Sequence, residues 1–176
     1  MCVGHCRRRS LPLEAVREAI ADYWGVSHSE RMQVDKTVRS DLRQIGSHTS
    51  QEIDFLVDFV RPRASNETQV DPQSEEAGAI FAQLERVLVQ LASRRPLVLT
   101  LEDLQYADSA TLAFLEYFAV TIRTQSLPIV VLATMRPEER TLNSNLERSL
   151  RTLTTNLGPQ YTRYVLKRLR GDRVDL

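Results

Sequence analysis

Pro96-Leu97-Val98-Leu99-Thr100-Leu101-Glu102-Asp103 is the stretch on which the reading of this chain turns. Residues 97–101 are apolar at every position except Thr100. A strand with one wet face alternates apolar and polar side chains, whereas a parallel strand buried on both faces does not. Two acids, Glu102 and Asp103, follow the run directly. Removing a carboxylate from water is costly unless something pairs with it, so acids at the end of a buried strand need an explanation.

The segments on either side predict regular elements. Upstream, Ala77, Ile80, Phe81, Leu84, Val87, Leu88 and Leu91 form one apolar helical stripe, which predicts a helix over 74–93. Asp71 or Ser74 can cap its start, and Arg94 and Arg95 suit its negative end. Downstream, Leu112, Leu115, Ala119 and Ile122 predict a helix over 109–124, with Asp108 as N-cap. Pro128 precedes a second continuous apolar run at 129–133, read like the first as a strand buried on both faces. Leu146, Leu150 and Leu153 mark a helix over 142–157, stopped by Gly158-Pro159. Residues 161–166 alternate and predict a further strand. Helix and strand thus alternate three times, the pattern of a parallel α/β sheet with helices on both faces.

The first 73 residues are less regular. Residues 1–6 suit a short strand. Leu13, Val16, Ile20, Tyr23 and Trp24 recur at helical spacing, with Pro12 suited to the first turn and Gly25 to the end. Residues 26–50 are polar, with a short helix predicted around 38–45. Ile53, Leu56, Val57 and Val60 mark another short helix, stopped by Pro62, and residues 63–73 read as an exposed loop. No internal repeat is present.

Composition narrows the function classes. Lys+Arg and Asp+Glu both number 23, so bulk charge gives no argument for nucleic acid or an anionic membrane as partner. The basic positions near the end, Arg163, Lys167, Arg168, Arg170 and Arg173, are diluted by Asp172 and Asp175 and lack an aromatic platform. No run reaches the roughly 18 apolar residues of a membrane span. The basic start lacks the apolar core of a signal peptide, so the expected location is the cytoplasm. Cys2, His5 and Cys6 could hold a metal, but no second ligand pair stands at zinc spacing, and His28 and His48 are isolated. Reduced thiols are the better account.

In open parallel sheets, ligands sit beyond the carboxyl ends of the strands. A magnesium ion with a triphosphate would supply the pairing that Glu102 and Asp103 need. One carboxylate would hold the ion, directly or through its water shell, and the other would orient or deprotonate an attacking water. The plain alternative is a solvated loop acid beside a helix cap. Thr134 and Arg136 follow the next apolar run, where a guanidinium can reach a terminal phosphate. Its plain alternative is a surface arginine before Pro137. A receiver domain also carries acids and a threonine at strand ends, but needs its acidic pair after the first strand, and here the pair falls mid-chain.

Pro96-Leu-Val-Leu-Thr-Leu-Glu-Asp-Leu-Gln-Tyr-Ala-Asp-Ser-Ala-Thr-Leu-Ala-Phe-Leu-Glu-Tyr117 and Leu127-Pro-Ile-Val-Val-Leu-Ala-Thr-Met-Arg-Pro-Glu-Glu139 together resemble the AAA-like P-loop ATPase module of STAND-type signalling proteins. These are large bacterial regulators that join the module to cyclase, kinase or DNA-binding domains. The resemblance runs from about residue 79 to 140. It implies a magnesium contact at Glu102, a part in hydrolysis at Asp103, the close of the acidic signature at Asp108, and a sensor region at Thr134 and Arg136. ATP and Mg2+ are the cofactors implied, and other domains of a parent regulator, or a protein partner, are the partners implied. Val3-Gly-His-Cys resembles the end of the strand after the P-loop helix, and residues 161–169 resemble the fifth core strand.

The departures shape the expectation. A phosphate-binding loop needs a glycine-rich turn ending in Gly-Lys-Ser/Thr, and no such sequence occurs; the glycines stand scattered at 4, 25, 46, 78, 158 and 171. In the family that loop precedes the segment matching residues 1–6. The expected fold is therefore a partial three-layer αβα P-loop core lacking its first strand and P-loop, with a helical insertion. It forms one incomplete domain: a strand remnant and helical region over 1–73, an α/β core over 74–170, and the start of a lid over 171–176. Glu102 replaces the usual aspartate, and Tyr106 stands where tryptophan is common. ATPase ancestry is thus implied without competence for hydrolysis in this chain alone. The alternative is a non-catalytic interaction module that offers its sheet edge to a partner.

Overall fold

Leu97, Leu99 and Leu101 are at most 2% exposed and lie at the centre of a parallel sheet. The computed structural model describes residues 1–8, 11–45, 49–62 and 71–166. Its strands are β1 (Cys2–His5), β2 (Leu97–Glu102) and β3 (Ile129–Ala133), in the spatial order β1-β2-β3. Both pairings are parallel, with Cys2 opposite Leu99 and Leu99 opposite Val131. All three carboxyl ends therefore meet at one end of the sheet. The α/β class and the partial P-loop core read from the sequence are the fold observed.

Between β1 and β2 run α1 (Glu14–Tyr23), α2 (Arg31–Ile45), α3 (Ser50–Val60) and α4 (Glu75–Arg94). Then α5 (Ser109–Gln125) joins β2 to β3, and α6 (Ser144–Leu157) follows β3. Gly4 lets α1 close on β1: a Cβ there would lie 1.8 Å from the carbonyl oxygen of Ala15. The Ser74 hydroxyl caps α4 by accepting from the Ala77 N–H at 3.1 Å. Phe81 of α4 meets Phe114 of α5 edge-on at 5.6 Å, and Phe114 stacks on Phe118 at 5.5 Å, tying the two helices into one core.

Some elements differ from expectation. The short helix predicted around 38–45 is the end of the 15-residue α2. Its buried stripe is Val34, Val38 and Leu42, each wholly buried and four residues apart, while Met32 in the first turn is exposed and the other residues between them are polar. Pro12 sits ahead of α1 and not in its first turn, because Leu13 takes a left-handed conformation (φ 61°) just before the helix. Residues 161–166 form no strand: they follow a 3-10 turn at Gly158–Gln160 with no ladder partner, and a lone extended segment has nothing to hold it as a strand. β3 reads as a buried central strand but is an edge, with Val130 and Leu132 59% and 51% exposed. Residues 63–70 of the expected loop, His48, and the basic and lid positions from 167 onward lie outside the described residues.

The two edges of the sheet are finished differently. Along β1, the outward N–H groups of Val3 and His5 donate to the carboxylates of Asp22 and Glu18 on α1, each at 3.0 Å. Nothing comparable covers β3 among the described residues. No helix among them is long and apolar enough to cross a membrane.

Candidate functional site at the strand carboxyl ends

The strand ends gather His5, Glu102, Asp103 and Thr134 in one neighbourhood. Asp103 has a left-handed backbone (φ 55°, ψ 48°), uncommon for a residue other than glycine. Three contacts with the β3 exit hold it. The Thr134 hydroxyl accepts from the Asp103 N–H at 3.3 Å, the Thr134 carbonyl accepts from the Leu104 N–H at 2.8 Å, and the Thr134 N–H donates to the Leu101 carbonyl at 3.0 Å. This turn aims the Asp103 carboxylate across toward β3. There the Arg136 guanidinium lies 3.7 Å from it, a long and exposed ion pair.

Gln105 connects the same two loops. It is 1% exposed, donates to Asp103 Oδ1 at 3.0 Å and accepts from the Arg136 N–H at 3.1 Å. A buried amide with both ends satisfied fixes the separation of the acid and the arginine. Arg136 also reaches Glu139 at 3.3 Å, and Glu139 accepts from the Tyr106 hydroxyl. Arg8 lies over the Tyr106 ring, 5.1 Å from its centre, and donates to that hydroxyl at 3.3 Å. Tyr106 thus occupies the tryptophan-like position with an added polar link between the β1 and β3 exits.

Glu102 faces a different neighbour. His5 Nε2 is 3.3 Å from its carboxylate, and His5 Nδ1 is 3.3 Å from Glu18. Asp108 is engaged in the fold. Its Oδ1 accepts from the Thr111 N–H at 2.9 Å as the cap of α5 and from the Leu13 N–H at 3.2 Å, and its Oδ2 accepts from the Thr111 hydroxyl at 2.6 Å. The contact with Leu13 secures the left-handed turn ahead of α1. Cys6, buried behind the site, has its thiol pushed up to about 12 by burial and by the nearby charges of Asp108, Asp103 and Glu18. Cys2 is pushed up to about 11, mainly by burial, and its S–H points to the Val98 carbonyl at 3.2 Å. Both thiols are buried core groups for which burial favours the protonated form.

The five residues singled out in the sequence therefore fall on one end of the sheet. Asp103, Thr134 and Arg136 join into one network, Glu102 sits one residue back beside His5, and Asp108 serves as cap and brace. Gln105, Arg8, Glu139 and His5 complete the network and carry no signal in the sequence, because a buried amide bridge and a cross-strand histidine exist only once the strands pair. Glu102 and Asp103 keep 45% and 40% of their side-chain surface in solvent, so each carboxylate is open to a hydrated cation. For phosphates the described residues offer Arg136 and no glycine-rich cradle.

A parallel α/β sheet with paired acids beyond one strand and a threonine and arginine beyond its neighbour defines a P-loop ATPase-like module. Residues 5–132, more than half of the chain, match the family model of the AAA ATPase domain, and the chain belongs to that family. Glu102, Asp103 and Asp108 fall within the matched region. No curated protein and no solved structure matches the chain.

Proposed function

We propose that the chain is the Walker B and sensor portion of the ATP-binding module of a STAND-type bacterial signalling regulator, acting in the cytoplasm beside other domains of that regulator. In this reading Glu102 holds the magnesium ion through its water shell, and Asp103 orients the attacking water. Thr134 and Arg136 sense the terminal phosphate, and Asp108 braces the turn behind them. Magnesium would neutralise charge on the phosphates when nucleotide is bound. The observation that carries the reading is the joined network of Asp103, Thr134 and Arg136, held together through the buried Gln105. Such a bridge couples an acid that handles water to a guanidinium that reads phosphate. With no Gly-Lys-Ser/Thr sequence present, nothing in these residues holds the β- and γ-phosphates, and the chain alone is not a competent ATPase.

Two measurements test this. Incubated with magnesium and ATP, the chain is expected to show no turnover; magnesium-dependent hydrolysis that Asp103→Asn abolishes would overturn the incompetence. Manganese, a paramagnetic stand-in for magnesium, is expected to broaden the NMR signals of Glu102 and Asp103 before those of Glu138 and Glu139. Equal broadening at both pairs would remove the metal role.

A further inference from the structure

A cavity of about 490 Å³ opens on the outer side of β1. α1 forms its floor, with the edge of β1 to one side and the end of α3 to the other. Two neighbouring stripes of α1 reach it. Glu18 and Asp22, four residues apart, take the outward N–H groups of β1. Arg17 and Ala21, also four apart, stand on the next stripe, from which Arg17 reaches Phe59 of α3.

Apart from two histidines, the charged side chains that line the cavity are Arg7, Arg17 and Arg61 against Glu14, Glu18 and Asp22. They are not paired one to one. Arg7 takes both glutamates, at 2.9 and 2.5 Å. Arg17 and Arg61 donate only to backbone carbonyls among the described residues. Arg17 bonds those of Phe59 and Pro12 at 2.7 and 3.5 Å and lies over the Phe59 ring. Arg61 bonds those of Ser29 and Ser27 at 2.8 and 3.0 Å. These contacts fix each guanidinium in place, yet a carbonyl is no counter-charge, and a guanidinium has five N–H donors. Burial also holds Arg17 below the ordinary arginine range, the mark of a cation that a nearby anion would stabilise. Asp22 accepts from the Val3 N–H at 3.0 Å and has no cationic partner among the described residues. Two positive charges and one negative charge are therefore left unmatched around one cavity. Bracing of the α3 end explains the carbonyl contacts, but not the unpaired acid beside them.

We infer that this cavity binds a small amino dicarboxylate, the chemical class of glutamate and aspartate, with its two carboxylates on Arg17 and Arg61 and its ammonium on Asp22. The charges match in number and sign. Arg17 and Asp22 lie five residues apart, about 7.5 Å along the helix axis, a span that a short extended molecule bridges with a hydrogen bond at each end. Ala21 is small and leaves room between them. Guanidiniums held in place beforehand lose little freedom when the ligand arrives. Binding requires neither ATP nor magnesium, so it stands or falls apart from the ATP reading.

The test is an NMR titration of the full chain with L-glutamate, without nucleotide or magnesium, following the side-chain Nε–H signals of arginine. Saturable shifts are expected at Arg17 and Arg61, with Arg136 unmoved. Glutarate has the same two carboxylates without the ammonium, and is expected to bind about tenfold more weakly. Asp22→Asn keeps an oxygen for the Val3 N–H and removes the charge, so it is expected to abolish the preference for glutamate over glutarate. Absence of saturable shifts at Arg17 and Arg61 overturns the inference. So does binding of glutarate or inorganic phosphate as tight as that of glutamate, which would mean a plain anion site. A preference for glutamate that survives in Asp22→Asn also overturns it.

Discussion

Asp103 pays for its position with backbone strain. A left-handed conformation costs a residue with a side chain on the order of 1–2 kcal/mol, a cost glycine escapes. Its carboxylate offsets that cost by accepting from the buried Gln105 amide. Asp103→Gly relieves the strain but leaves that amide without its acceptor, so no gain in stability is expected in urea unfolding, while the manganese broadening at this position is lost. A stability gain with the metal response retained would contradict both assignments. Thr100 presents the opposite case. Its hydroxyl is buried in β2 with no hydrogen-bond partner among the described residues. Thr100→Val keeps the shape and deletes the unpaired group, so a gain of about 1 kcal/mol is expected by the same measurement.

Among the elements, the β1–α1 contact depends on one atom's absence. Gly4→Ala would drive a methyl group into the Ala15 carbonyl, which is backbone and cannot swing aside. A loss of about 3 kcal/mol is expected in chemical denaturation, with β1 leaving the sheet first in hydrogen exchange. Helices with wide apolar stripes, α4 and α5, were legible in the sequence nearly to the residue, caps included. α2 was only half legible, because three residues four apart make too thin a stripe to stand out among polar neighbours. Residues 161–166 show the reverse error. Alternation describes what a segment is able to do, and becoming a strand also requires a neighbour with free backbone groups.

For the molecule as a whole, two properties follow from what is buried and what is not. The thiols of Cys2 and Cys6 sit at about 11 and about 12 in the fold against an ordinary 9.0. Above pH 9 the unfolded chain loses those protons and the folded one keeps them, so stability is full below pH 9 and falls as pH rises toward 11 and 12. The Cys2→Ala, Cys6→Ala double variant is expected to flatten that fall in a pH series of thermal melts. The open β3 edge makes the molecule prone to self-pairing at high concentration. Leu132→Lys, at a half-exposed position, is expected to lower light scattering without a change in unfolding midpoint.

The short stretch ending in Glu102 and Asp103 carried the class of fold, the end of the sheet on which chemistry belongs, and the membership of a family, because burial on both faces and a costly pair of acids are written in residue types alone. The pairing of Asp103 with Thr134 and Arg136, the amide bridge of Gln105, and the engagement of Asp108 as a brace required the folded chain. So did the finding that β3 is an edge. Two apolar runs look alike in sequence, and which of them has a neighbour on each side is settled by the strand order.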